Sequence, residues 1–221
     1  MSELGVREMT GRDGIEDGEF FEAMGQAKQR AVAKKQWYET LTASECVIAD
    51  VAERLFNRFI KPAESTGMCY RMTFFLHLYL ADKGVQTVPV VGYINDGSDD
   101  VMISHAWLEF GGKKTDLTLG ITEDPDLNPV GNVIILDQIL FPGLTYTYHL
   151  EKSAEGVAIE AQWLQDPKIG PLVRRKEIEH AAMSGRANSP EHMRSFLDAA
   201  PDGLDYNKLR AIIDIQGLVA P

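Results

Sequence analysis

The chain has 221 residues, 44% hydrophobic and 25% charged, with a formal net charge of −11. These proportions fit one globular domain with an extension. The charge argues against non-specific nucleic-acid or anionic-membrane binding, which needs a basic patch. Two cysteines are too few for a disulfide framework, and no apolar run reaches the ~20 residues of a membrane helix. A reducing cytoplasm is therefore the expected compartment. Met1 to Arg7 show no basic region ahead of an apolar stretch, so no secretory leader is expected.

Residues 1–18, rich in Gly, Asp and Glu, read as a loose arm. Glu19 to Thr40 reads as an amphipathic helix through Phe20, Phe21, Met24, Ala27, Ala31 and Trp37. Thr42 or Ser44 can cap a second helix, which runs to Phe59 and stops at Pro62. Cys46, in its first turns, reads as a small buried hydrophobe. After Gly67-Met68-Cys69 comes a helix from Tyr70 to Lys83, apolar on most sides and closed by Gly84. A helix with so little polar surface belongs in the middle of a domain.

The stretch 85–94 reads as a strand, with Pro89 marking an edge or bulge. A second strand, Val101 to Phe110, turns at Gly111-Gly112 into Lys113 to Thr118. Gly120 to Gly131 reads as an exposed loop, and Val133–Leu136 and Thr145–Leu150 as further strands. Helices are expected near 154–165, 171–184, 190–199 (capped by Ser189 ahead of Pro190) and 204–215. The expected class is α+β: a core over 19–150, with a central helix on a mostly antiparallel sheet, and a helical extension over 151–221.

This order puts a cysteine at a helix start, a histidine in a strand and an aspartate in the next strand. A thiol becomes a nucleophile as its thiolate, which a helix N-terminus and a neighbouring imidazolium both favour. Cys69 has that position, and Gly67 lets the backbone approach a substrate with no side chain in the way. If Gly111-Gly112 is a two-residue turn, Phe110 pairs with Lys113, His105 lies opposite Thr118, and Asp116 lies opposite Trp107. His105 and Asp116 are then diagonal neighbours on one face, with Cα atoms ~7–8 Å apart. A three-residue loop would send them to opposite faces. Cys69, His105 and Asp116 are thus the candidate nucleophile, base and orienting acid. Trp107 shares the His105 face. Trp37, with Gln36 and Tyr38, lies on an upstream segment able to reach the site, which makes Gly67, Trp107 and Trp37 the candidate substrate contacts.

Gly67-Met-Cys69, Gly84-Val, Val91-Gly92-Tyr93, His105-Ala-Trp-Leu-Glu109 and Thr115-Asp116, in that order, resemble the core of the transglutaminase-like superfamily. The resemblance covers 50 to 60 residues, about a quarter of the chain. It implies a papain-like fold, a Cys-His-Asp thiol site on Cys69, His105 and Asp116, and acyl-enzyme chemistry on a peptide, protein or small amide. No metal or cofactor is implied. The chain departs from relatives in two places. Pro62-Ala-Glu-Ser-Thr66 stands where papain-type proteases carry a glutamine, and no arginine lies between Gly84 and Gly92.

The expectation is a cysteine hydrolase of the amidase or peptidase type. The alternatives are an acyltransferase or crosslinking enzyme with an amine acceptor, and a catalytically silent binding module. His77, ~12 Å along the helix from Cys69, is too far to be the base. His149, His180 and His192 read as surface or capping residues, and Arg174-Arg175-Lys176 as a solvated helix face. Neither CxxC nor HxxxH occurs, so no zinc site is expected. Oligomeric state is not legible.

Overall fold

A computed structural model describes residues 28–29, 31–64, 66–122, 125 and 129–215. The expected arm over 1–18, and Phe20, Phe21, Met24 and Ala27 of the expected first helix, lie outside the described residues. The chain forms two compact units, Met1–Cys46 and Val47–Pro221.

In the first unit, α1 covers 31–40. Of the two expected caps, Thr42 is the one used. Its backbone N–H donates to Glu45 Oε2 (2.8 Å), while the Glu45 N–H donates to Thr42 Oγ1 (3.3 Å). This reciprocal box satisfies two otherwise orphaned donors at the start of α2, Ala43–Leu55. Cys46 is half-buried, with Sγ 4.0 Å from the carbonyls of Tyr38 and Leu41. It is less enclosed than a core hydrophobe because it faces the chain end that precedes its own helix.

In the second unit, α2 widens into one π-helical turn, Phe56–Ile60, which the three- and four-residue spacing does not foretell. The wider turn puts Phe56, Phe59 and Ile60 in the core together. The central helix is α3, Cys69–Asp82, buried from Tyr70 to Leu80 at all positions but Arg71. It ends as expected at Gly84, whose φ of +80° suits a residue without Cβ, and the Val85 N–H closes the end on the Leu80 carbonyl (2.9 Å).

Four antiparallel strands run in the order β3-β2-β1-β6: β1 Val88–Asn95, β2 Ile103–Phe110, β3 Lys113–Thr115 and β6 Thr147–His149. Pro89 is tolerated inside the sheet because β6 pairs only with Tyr93 to Asn95, leaving β2 as its one neighbour. Gly111 and Gly112 both have positive φ (58° and 79°), as a two-residue hairpin turn requires. A second hairpin, β4 Val133–Ile135 and β5 Gln138–Phe141, hangs from the first sheet through a bridge between Asp116 and Ile134.

Strand β5 carries no turn signal, since its hairpin turns at Leu136-Asp137, two non-glycine residues at φ 52° and 65°. Tertiary contacts hold that conformation: the Leu136 N–H donates to Thr115 Oγ1 (3.1 Å), and Asp137 Oδ1 accepts from the Lys114 N–H (2.9 Å).

Four helices complete the unit: α4 Ala154–Trp163, α5 Gly170–Arg186, α6 Pro190–Asp198 and α7 Tyr206–Asp214. Ser189 caps α6 by accepting from the His192 N–H. Helix α5 packs on β1 and β2, while α6 and α7 cover α3. There Phe196 meets Phe74 edge-on (5.9 Å), and Tyr206, its ring beneath the Arg194 guanidinium, packs on Phe75 (5.4 Å). The helices beyond residue 150 therefore share a core with the sheet. The architecture is α+β, and no helix among the described residues is long and apolar enough to cross a membrane.

Candidate active site

Gly67, at φ +63°, turns the chain into α3, and no atom lies within 4 Å of where its Cβ would be. Any side chain there would sit in left-handed backbone, at ~1–2 kcal/mol. Met68 is the N-cap residue and makes no side-chain cap hydrogen bond to the first-turn amides around Cys69. Cys69 is half-buried and lines a groove of about 490 Å³ together with Gly67, Ser104, His105, Thr118 and Tyr146.

His105 comes to this groove from β2. The hairpin pairs Phe110 with Lys113, Glu109 with Lys114 and Leu108 with Thr115, the register a two-residue turn sets. Strand β3 ends at Thr115, one residue before the expected aspartate. Asp116 instead sits in the bridge to β4, its N–H donating to the Ile134 carbonyl and its carbonyl accepting the Ile134 N–H (both 2.9 Å). The diagonal relation with His105 survives: His105 Nε2–H donates to Asp116 Oδ2 at 2.7 Å, with both side chains buried. Cys69 lines the same groove as the ring, and its sulfur acts on it; with Nε2 taken by Asp116, Nδ1 is the remaining ring nitrogen.

Burial alone would lower the pKa of the His105 ring. The Asp116 carboxylate and the Cys69 sulfur, acting through charge and through hydrogen bonds, outweigh it and raise the ring to about 10. The imidazolium is thus the favoured form when both neighbours carry negative charge.

Asp116 is held from every side. Oδ2 also accepts from Tyr148 Oη (3.0 Å), and Oδ1 accepts from the Thr118 N–H (3.1 Å) and Thr118 Oγ1 (3.2 Å). Burial and the Asp116 charge both raise the Tyr148 phenol, keeping it protonated and a donor. The sequence reading missed Tyr148. It lies inside an expected strand, but only the pairing of β6 with β1 carries it to Asp116, and no local pattern encodes that pairing.

Trp107 does not serve as a groove contact. It is 1% exposed, its ring meets Tyr148 edge-on at 5.0 Å, and its Nε1–H donates to Glu109 Oε1 (2.9 Å). It shares the His105 face, as strand alternation demands, and backs the site from beneath. Trp37 belongs to the first compact unit, where its ring meets Tyr38 edge-on at 5.1 Å. His77 is buried in mid-helix and shares a hydrogen bond with Thr87 Oγ1 (3.0 Å).

His180 is not a surface or capping residue. Half-buried on α5, its Nδ1 shares a hydrogen bond with Ser104 Oγ (2.5 Å), which shares another with Tyr70 Oη (2.6 Å). Its ring stacks on Tyr93 at 4.4 Å, and burial lowers its pKa. Tyr70 and Ser104 are the chain neighbours of Cys69 and His105, so this second polar chain runs beside the first. Nothing in the helical pattern of 171–184 points to it, because Ser104 and His180 are 76 residues apart.

Among the described residues, no three His, Cys, Asp or Glu side chains converge as metal ligands. No family model matches the chain, and neither a curated protein nor a solved structure matches it.

Proposed function

We propose that the protein is a cysteine hydrolase of amide or ester bonds, with a transglutaminase-like, papain-type arrangement of its site. The observation that carries this reading is the buried His105–Asp116 hydrogen bond set beside Cys69 on one groove of about 490 Å³. In the reaction, the Cys69 proton passes to His105, and the resulting thiolate attacks the carbonyl carbon. The developing oxyanion is met by the Cys69 backbone N–H, at a helix start without a side-chain cap. As the C–N or C–O bond breaks, His105 returns the proton to the departing amine or alcohol, leaving an acyl-thioester. Water then adds, giving up its proton to His105. The C–S bond breaks, the acid departs, and the thiol is restored. Asp116 holds the ring tautomer throughout. Both described cysteines are free, which suits a reducing compartment and a cytoplasmic enzyme.

Cys46 is an internal reference, being a free thiol as half-buried as Cys69. Iodoacetamide at pH 7, followed by peptide mass spectrometry, should label Cys69 at least ~10-fold faster than Cys46. Cys69→Ala should abolish turnover of ester and amide probes. Equal labelling rates, together with unchanged turnover in Cys69→Ala, would refute the reading. Added amines distinguish transfer from hydrolysis, since an acyltransferase would divert the acyl group into a new amide.

A further inference from the structure

A second cavity, of about 260 Å³, opens beside the catalytic groove, between the start of β2 and helices α4 and α5. Its walls are chiefly Met102, Ile103, Ile159, Trp163, Leu172 and Val173. The two spaces are neighbours, with Ile103, Ser104 and Lys176 in the walls of both. Ser104 directly precedes His105, so the cavity starts one residue from the imidazole.

The polar groups around it are already engaged with one another. Lys152 Nζ is held by Glu160 (2.5 Å) and Glu177 (2.7 Å) and lies 4.9 Å over the Tyr93 ring. Lys176 pairs with Glu179 (3.1 Å), and the Ser104 hydroxyl is taken by Tyr70 and His180. A charged occupant would have to break one of these pairs, whereas an apolar one gains from walls of aliphatic and indole carbon. For scale, an apolar protein cavity of ~150 Å³ takes up benzene, so this one has room for a ring with a substituent or a medium-length alkyl chain.

We propose that this cavity is the specificity pocket of the enzyme and that the substrate is an amide or ester carrying a neutral aliphatic or aromatic group. The inference rests on the hydrolase reading for its reaction, but the cavity has a binding readout of its own. Each methylene entering it should raise kcat/KM about two- to fourfold until the space is filled.

Two series of p-nitroanilides and aryl or alkyl esters test this. One lengthens the acyl chain from two to ten carbons, and the other lengthens the alcohol chain. Wild type should show a rising slope in at least one series. Val173→Trp, which fills the cavity, should flatten that slope. Trp163→Ala, at the cavity rim, should move the optimum to longer chains, and it stands in if Val173→Trp does not fold. Flat slopes in both series, or a wild-type slope in both variants, would overturn the proposal.

Binding of hexanamide to Cys69→Ala separates the two claims. It is read as the change in indole fluorescence that Trp163→Phe removes. If Cys69→Ala keeps full turnover but hexanamide binds and Val173→Trp abolishes that binding, the thiol mechanism fails and the pocket stands. If turnover depends on Cys69 but hexanamide does not perturb Trp163, the pocket fails and the mechanism stands.

Discussion

Asp116→Asn changes one atom of the proposed relay, and its consequences can be worked out donor by donor. Each carboxylate oxygen of Asp116 accepts two hydrogen bonds: Oδ2 from His105 Nε2 (2.7 Å) and Tyr148 Oη (3.0 Å), and Oδ1 from the Thr118 N–H (3.1 Å) and Thr118 Oγ1 (3.2 Å). Asparagine keeps one acceptor oxygen. With its NH2 toward His105 and Tyr148, it would set donor against donor at His105 Nε2–H, although the Tyr148 hydroxyl could turn and accept. With its NH2 toward Thr118, it orphans one backbone N–H, because the hydroxyl can rotate and accept. The second orientation wins, at roughly 1–3 kcal/mol of stability for the unpaired N–H. The His105 tautomer is therefore preserved, and what disappears is the charge.

That loss is decisive for the ring. Burial pulls the His105 pKa down, and the Asp116 charge is the largest influence holding it up, at about 10. In the variant the ring pKa should fall well below that value, with only the Cys69 sulfur left to oppose burial, and the imidazolium supports the thiolate less at neutral pH. With the tautomer kept but the base's proton affinity lost, kcat/KM should fall by a factor on the order of 10² to 10⁴, the usual contribution of general acid–base catalysis.

Stability carries a matching signature. A raised histidine contributes fully below the unfolded pKa of about 6.5 and loses that contribution as pH rises through about 10. The gap in stability between wild type and variant should therefore be widest near pH 6 and narrow toward pH 10. The assays are NMR titration of the His105 ring, iodoacetamide labelling of Cys69 and denaturant melts across that range. A folded variant with an unshifted His105 titration and wild-type labelling would refute the reasoning.

Three other perturbations follow from single contacts. Tyr148→Phe keeps the ring against Trp107 but removes one donor to Asp116. It should cost ~1–2 kcal/mol in urea melts and lower kcat by no more than about tenfold, since His105 keeps its own bond. Gly92→Ala puts a Cβ 2.4 Å from the His149 carbonyl and 2.7 Å from the buried Trp107 ring, neither able to move cheaply. About 3 kcal/mol should be lost, read as a Tm lower by roughly 6–12 °C. His77 and His180 both have pKa values lowered by burial, so their contribution is present above about pH 6.5 and lost as pH falls through their folded values. Tm should accordingly fall from pH 7 to pH 5, and His77→Gln should flatten that slope.

The sequence was most informative where local chemistry decides the backbone. Gly111-Gly112 dictated a two-residue turn, and that turn dictated the register joining His105 to Asp116. Gly84 ended α3, Ser189-Pro190 opened α6, and the four C-terminal helices fall within two or three residues of their expected limits. It was least informative where distant segments decide. Leu136-Asp137 holds left-handed backbone because Thr115 and Lys114 support it, so β5 went unread. Tyr148 reaches Asp116 through a strand pairing, and His180 reaches Ser104 across helix packing. Alternation put Trp107 on the His105 face but left open whether it shields the imidazole or packs in the core, because it states which side a residue faces and not what covers it.

The placement of Asp116 explains how so short a strand can orient a buried ring. Strand β3 is three residues long and pairs only with β2, a poor mount for a carboxylate that must hold an imidazole to within tenths of an ångström. One residue later the backbone of Asp116 is clamped at both its N–H and its carbonyl by Ile134 of β4. That strand is in turn braced by β5 and tied back to β3 through the Leu136 N–H on Thr115 and the Lys114 N–H on Asp137. The second hairpin thus acts as a bracket for the first. Its turn residues accept strained backbone, and its strands, away from the groove, transmit that rigidity to the one carboxylate the site depends on. On this view, damage to the Leu136-Asp137 turn should loosen His105 even though neither residue lines the groove.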